Sequence, residues 1–282
     1  YYTPPTGYKA LNTSNLDDPS IADPTKHFNT KLWTSTSADG TSALGAVTGV
    51  GFQPDLVWAK GRTAAWDHSL FDSVTGTGLG KALYTNTNFA AGAYDTSGYG
   101  NVTSFDSDGF TVGLTAGNNY AYNYGSGTKY LAWNWKAGGT ASSNSDGTIT
   151  SSVSANTTAG FSIVGYTGHG ATTGTVGHGL GVKPDLIITK YRSGAASWSV
   201  YNSSEGATKV IWLDDSSAVG TGITYWRDTE PTASVFSVGA SGTTGGNANP
   251  YIAYCFHSVD GYSKIGTYEG NANANGPFVY TG

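Results

Sequence analysis

The apolar positions of this chain recur with a period of two. In YLAWNWK (130–136), Tyr130, Ala132 and Asn134 project to one side of an extended strand, and Leu131, Trp133 and Trp135 to the other. FSIVGYTG (161–168) alternates in the same way. LVWAK (56–60) and LIITK (186–190) are short apolar runs, each following Pro-Asp, where proline suits a strand entrance and not a strand centre. Asp-Gly pairs at 39–40, 108–109, 146–147 and 260–261 mark tight turns. Helical periodicity is confined to a single turn near Ser42–Ala46. The pattern predicts an all-β chain.

The pattern also repeats. GFQPDLVWAKGR (51–62) aligns with GVKPDLIITKYR (181–192), matching Pro54 to Pro184, Asp55 to Asp185, Lys60 to Lys190 and Arg62 to Arg192. AAWDHSLFDSV (64–74) then aligns with GAASWSVYNSS (194–204), KALY (81–84) with KVIW (209–212), and KYLAWNWK (129–136) with PYIAYCFH (250–257). Upstream, HFNTKLWTST (27–36) aligns with GFSIVGYTGH (160–169), and a third version, GYSKIGTYEG (261–270), follows the second copy.

These alignments predict tandem β-sandwich, jelly-roll-like modules over 26–137 and 158–260. Residues 1–25 read as an extended arm or the tail of a preceding domain. Residues 138–157 read as a Ser/Thr/Gly-rich linker around a short strand at Thr148–Val153. Residues 261–282 read as the opening strands of a truncated third copy, or as a closing or donated strand.

Composition narrows the function classes. Aromatics make up 13% of residues, which excludes bulk disorder, while charged residues are only 12%, about half the usual share. Solubility then rests on Ser, Thr, Asn and Gly, which suits an extracellular or virion protein. The net charge is −5 with no basic stripe, which argues against nucleic-acid binding. No apolar run is long enough for membrane insertion as a helix. The lone Cys255, within YIAYCFH, reads as a small buried hydrophobe. The chain opens Tyr1-Tyr2-Thr3 without Met, so a preceding segment is expected.

Catalytic constellations are not evident. Glu205, Glu230 and Glu269 are the only glutamates, and Asp214-Asp215 would point to opposite faces of a strand, so no glycosidase-type carboxylate pair emerges. FDSDGF (105–110) reads as a hairpin turn and not as a calcium loop, with Asp17, Asp18 and Asp23 as a weaker calcium alternative. His27, His68, His169, His178 and His257 lack metal-ligand spacing, and His169 and His178 read as loop residues. No cofactor, metal or catalytic residue is expected. Repetition of Pro54, Asp55, Lys60, Arg62, Pro184, Asp185, Lys190 and Arg192 argues a structural role, with the aspartates bonding turn amides or the lysines. Trp66, Trp198, Tyr225 and Trp226 stand in more polar settings, so they are the candidate surface aromatics for a glycan or partner.

GYKALNTSNLDDP (7–19) resembles the segment that closes a SPRY-type β-sandwich in large structural proteins of marine tailed phages. KHFNTKLWTST, GVGFQPDLVWAKGR, LFDSV, TSFDSDGF and YLAWNWKAGG are similar to the modules that follow it, as are SNSDGTITSSVSANTTAGFSIVGYTG and VGHGLGVKPDLIITKYR. The resemblance covers nearly the whole chain. It implies a non-enzymatic virion structural protein, a tail fibre or surface appendage, and no catalytic residues. The expected partners are further copies of the chain, other virion proteins and a host surface glycan. A secreted lectin-like module, or a filament subunit assembling by strand addition, are the alternatives.

Overall fold

The structure, a computed structural model, describes residues 3–8, 18–36, 44–93, 101–113, 122–170 and 173–279. Its first copy holds β1 (Phe28–Thr34), β2 (Gly45–Thr48), β3 (Leu56–Gly61), β4 (Ser69–Asp72), β5 (Asn101–Asp106), β6 (Gly109–Gly113) and β7 (Lys129–Trp135). The second copy holds β8 (Ser142–Asn144), β9 (Ser151–Asn156), β10 (Phe161–Thr167), β11 (Gly174–Gly177), β12 (Leu186–Tyr191) and β13 (Ser199–Asn202). It continues with β14 (Lys209–Trp212), β15 (Gly220–Thr221), one helical turn, α1 (Ile223–Trp226), and then β16 (Val235–Val238) and β17 (Pro250–Phe256). The antiparallel sheets have the orders β1-β7-β3-β4, β2-β6-β5, β15-β14-β13-β12-β17-β10-β9-β8 and β11-β16.

The aligned segments occupy equivalent places. Phe28 pairs with Trp135 between β1 and β7, as Phe161 pairs with Phe256 between β10 and β17. Leu56 then pairs with Trp135, and Leu186 with Phe256. The ring contacts repeat as well. Trp33 stacks on Tyr130 at 5.3 Å and meets the edge of Phe110, and Tyr166 stacks on Tyr251 at 5.3 Å and meets the edge of Phe236. In both copies the tyrosine hydroxyl accepts a backbone N–H from the loop before its strand, from Tyr124 at 3.1 Å and Gly246 at 2.9 Å.

Side-chain alternation sends each central strand into two cores. Val57, Ala59 and Ala132 face Val47, Phe110 and Val112 of the small sheet, closing the first sandwich. Ile187, Ala253 and Cys255 face Val176, Phe236, Val238 and Trp226, closing the second. The opposite faces meet each other. Leu56, Leu70, Leu83 and Trp135 of the first copy pack on Phe161, Ile163, Trp198, Ile252 and Tyr254 of the second. The copies therefore lie face to face, as four layers. Sheets covered on both sides need apolar residues at both alternations, and PYIAYCF has them.

This seam is also hydrogen-bonded. The Ala91 N–H donates to the Arg192 carbonyl and the Ala196 N–H to the Asn88 carbonyl, both at 2.8 Å. Trp198 Nε1 donates to the Tyr84 carbonyl at 2.9 Å. Each large apolar side chain buried there contributes about 1.5–3 kcal/mol, against about 1 kcal/mol for a neutral hydrogen bond, so packing dominates the union.

Three expectations change. Residues 138–157 carry β8 and β9, both edge-side strands of the large sheet. Their serines look like linker residues but act as hydrogen-bonding groups: Ser151 Oγ donates to the Gly177 carbonyl and Ser154 Oγ to the Gly139 carbonyl, each at 2.8 Å. The helical turn near Ser42–Ala46 is not seen: Gly45 and Ala46 lie in β2, and Ser42 and Ala43 are outside the described residues. Residues 261–279 form no strand within this chain. Instead Tyr262 packs with Ile21, Ala159 and Val259.

The Ser107-Asp108 turn joins β5 and β6 as a hairpin. Asp108 turns back to accept the Gly49 and Gly51 N–H groups at 2.9 and 2.6 Å. Gly109 is required there, since a Cβ would lie 1.9 Å from the Val47 carbonyl oxygen.

Candidate functional site

The repeated Pro-Asp places a carboxylate at the mouth of β3 and of β12. Pro54 and Pro184 are buried just before the strands. Asp55 Oδ2 accepts the Ala137 N–H at 2.8 Å and the Gly139 N–H at 3.3 Å. Asp185 Oδ2 accepts the Ser258 N–H at 2.8 Å, and its Oδ1 accepts from the Ser203 hydroxyl at 3.3 Å. Each aspartate thus pins the backbone that leaves the long aromatic strand. The alternative partner, the lysine, is engaged elsewhere: Lys60 donates to the Ala64 and Trp66 carbonyls, and Lys190 to the Asn88 and Ala196 carbonyls.

Lys190 is wholly buried, with its ammonium 5.8 Å from the Trp198 ring centroid. Burial pushes its pKa down to about 8. Arg62 is exposed and Arg192 is half-buried at the seam, while their backbone N–H groups make matching bonds to the Lys129 and Pro250 carbonyls.

The four candidate surface aromatics separate. Trp198 is 0% exposed and sits in the seam, and Trp226 is 2% exposed in the second core, so neither offers a ring face to a ligand. Trp198 immediately precedes β13 between the polar Ser197 and Ser199, which hid its burial. Trp66 is half-buried, with its face on Tyr130 at 5.8 Å, and Tyr225 is half-buried against Trp212 at 5.5 Å. One belongs to each copy, and they do not form a shared platform with the buried pair.

The titratable groups considered for chemistry are engaged in the fold. Glu230 binds Lys183 at 2.7 Å, the Tyr201 hydroxyl at 2.5 Å and the Ala207 N–H at 2.8 Å. Asp214 accepts the Trp198 N–H, and Asp215 accepts the Ser217 N–H in a local turn. Asp23 accepts from Thr25, Asp18 is exposed, and Asp17 lies outside the described residues. His169 is exposed, and His178 lies in the loop that follows β11, as its sequence setting implies, but is fully buried there. Its Nδ1 accepts the Leu180 N–H at 3.2 Å, which leaves the proton on Nε2, bonded to the Thr232 carbonyl at 3.2 Å. Burial pushes the His178 pKa down.

The second copy also holds a pocket of about 280 Å³, lined by Thr148, Thr173, Thr175, Arg227, Thr229 and Ser237, with Gly174 at its wall. Val176 and Phe236 alternate into the core, so their neighbours Thr175 and Ser237, paired across β11 and β16, face outward into it. Arg227 follows α1 in a left-handed conformation, φ 59°, and Asp228 continues it at φ 49°. The buried Nε of Arg227 has no hydrogen-bond partner. Among the described residues, no carboxylate lines the pocket. Its hydroxyls come from positions 148 to 237 of a chain rich in Ser and Thr, so no sequence motif announces it.

Residues 23–282 match the model of a family described as a domain of unknown function (DUF7483). No curated protein and no solved structure matches the chain.

Proposed function

The chain belongs to the DUF7483 family, and we propose that it is a non-enzymatic structural protein of a virion, a tail fibre or surface appendage that mediates assembly or host-surface attachment. The observation that carries this reading is the seam. A common apolar core holds the two sandwiches face to face and leaves no free hinge between them. A stiff body of low charge keeps its contact surfaces at fixed positions relative to its neighbours, which is what a projecting element needs. The similarity of its segments to modules of marine-phage structural proteins supports the same role. Further copies, other virion proteins and a host glycan are the partners, and several copies engaging together would replace single-site affinity by avidity.

The test is electron microscopy of purified particles labelled with antibody to the chain. Label on the tail or on surface projections is expected. Label confined to free protein or cell envelopes would overturn the reading. The hydroxyl-lined pocket at Arg227 favours a second reading, a secreted carbohydrate-binding module, which predicts that second distribution.

A further inference from the structure

We propose that the pocket at Arg227 binds an acidic saccharide, a sugar unit carrying a carboxylate or sulfate group. This rests on the surface-attachment reading and names the ligand class for it.

The argument begins with the arginine. A guanidinium is always charged and presents a rigid fork that matches the oxygens of a carboxylate or sulfate. Arg227 lines the pocket, and its side chain makes no hydrogen bond among the described residues. Arg227 is the left-handed C-cap of α1, its N–H bonded to the Ile223 carbonyl, and Asp228 continues the left-handed backbone. The Thr229 hydroxyl fixes that turn by donating to the Arg227 carbonyl at 2.9 Å. Asp228 is exposed, and the nearby Glu230 is engaged by Lys183 and Tyr201.

The remaining walls suit a sugar. The Thr173 and Ser237 hydroxyls have no hydrogen-bond partner among the described residues, and Thr148 and Thr175 each accept the other's N–H at 2.9 Å. Together they offer donors and acceptors around one charged fork. A volume of about 280 Å³ falls just below the ~300–1,000 Å³ of drug-sized sites and fits one polar ring. The pocket lies on the outermost sheet, β11-β16, on the face turned away from the core. Ligand access therefore does not require the two copies to separate.

The test is binding of the full chain to immobilised oligosaccharides ending in glucuronate or sulfogalactose, beside parents ending in glucose or galactose. Retention of the acidic forms at least tenfold above their neutral parents is expected. Arg227→Gln should remove that preference. Thr173→Val, at an exposed position, should weaken binding severalfold with an unchanged unfolding midpoint. Equal retention of neutral parents, indifference to both substitutions, no retention at all, or equal competition by inorganic sulfate would overturn the proposal. Particle labelling separates the two ideas: label on virions with no acidic-glycan binding removes the pocket's role and leaves the attachment reading standing. Acidic-glycan binding without virion label does the reverse.

Discussion

The Tyr254 hydroxyl donates to the Asp72 carboxylate at 2.8 Å, from the second copy to the first. Asp72 is fully buried and also accepts the Val74 and Thr75 N–H groups and the Thr75 hydroxyl. Tyr254→Phe keeps the ring and removes the donor that crosses the seam. It should lower stability by about 1.5–3 kcal/mol, the range for a hydrogen bond to a charged group. Urea unfolding reads this as a lower midpoint with an unchanged slope.

Lys190 ties the same seam through Asn88 and Ala196. Lys190→Met fills the space of the stem and leaves the Ala196 carbonyl without that donor, while the Asn88 carbonyl keeps the Ala196 N–H, so about 1–3 kcal/mol should be lost. The folded pKa, near 8, lies below the ordinary 10.5, so the folded chain binds fewer protons between those values. Lys190 therefore adds stability as pH rises from about 8 toward 10.5. Subtracting the Lys190→Met profile from that of the parent should show this rise.

His178 acts in the acid range. Its folded pKa lies below the ordinary 6.5, so its contribution is full above 6.5 and is lost as pH falls through the folded value. Burial shifts His27 and His68 the same way. Asp72, whose burial raises its pKa, acts in the opposite sense, so the readout is the difference between parent and variant. The stability lost by His178→Gln should shrink on acidification through this range, and a loss that stays constant or grows would refute this account of the imidazole.

Cys255 lies in the second core, where burial pushes its thiol up to about 12. A thiolate is needed for reaction with disulfide reagents, so native labelling should proceed only through unfolding. The labelling rate should rise with urea in step with the unfolded fraction. Fast stoichiometric labelling of the native chain would show that this core is open.

Much of the fold was legible because strand burial writes itself into period-two alternation. The aromatic strands follow from it, while the Pro-Asp strands and the buried Cys255 follow from short apolar runs and the Asp108-Gly109 hairpin from its turn residues. The apolar run at Tyr251–Phe256 even carries the mark of a sheet covered on both sides. β8 and β9 were obscured because serines there bond backbone groups rather than pack. Trp198 was misread because the core that buries it exists only once two distant copies meet. Trp226 sits in a single helical turn whose N-cap, Gly222, makes no side-chain bond, so local signals were lacking. The Arg227 pocket draws hydroxyls from well-separated segments, and nothing in their spacing marks them.

The claim beneath the functional reading is that the two copies form one rigid body through their shared seam. Scanning calorimetry tests it directly. One transition is expected, with calorimetric and van't Hoff enthalpies equal, and Tyr254→Phe should shift the whole of it. Two separated transitions, of which the substitution moves only one, would show two independently folding sandwiches and contradict the account.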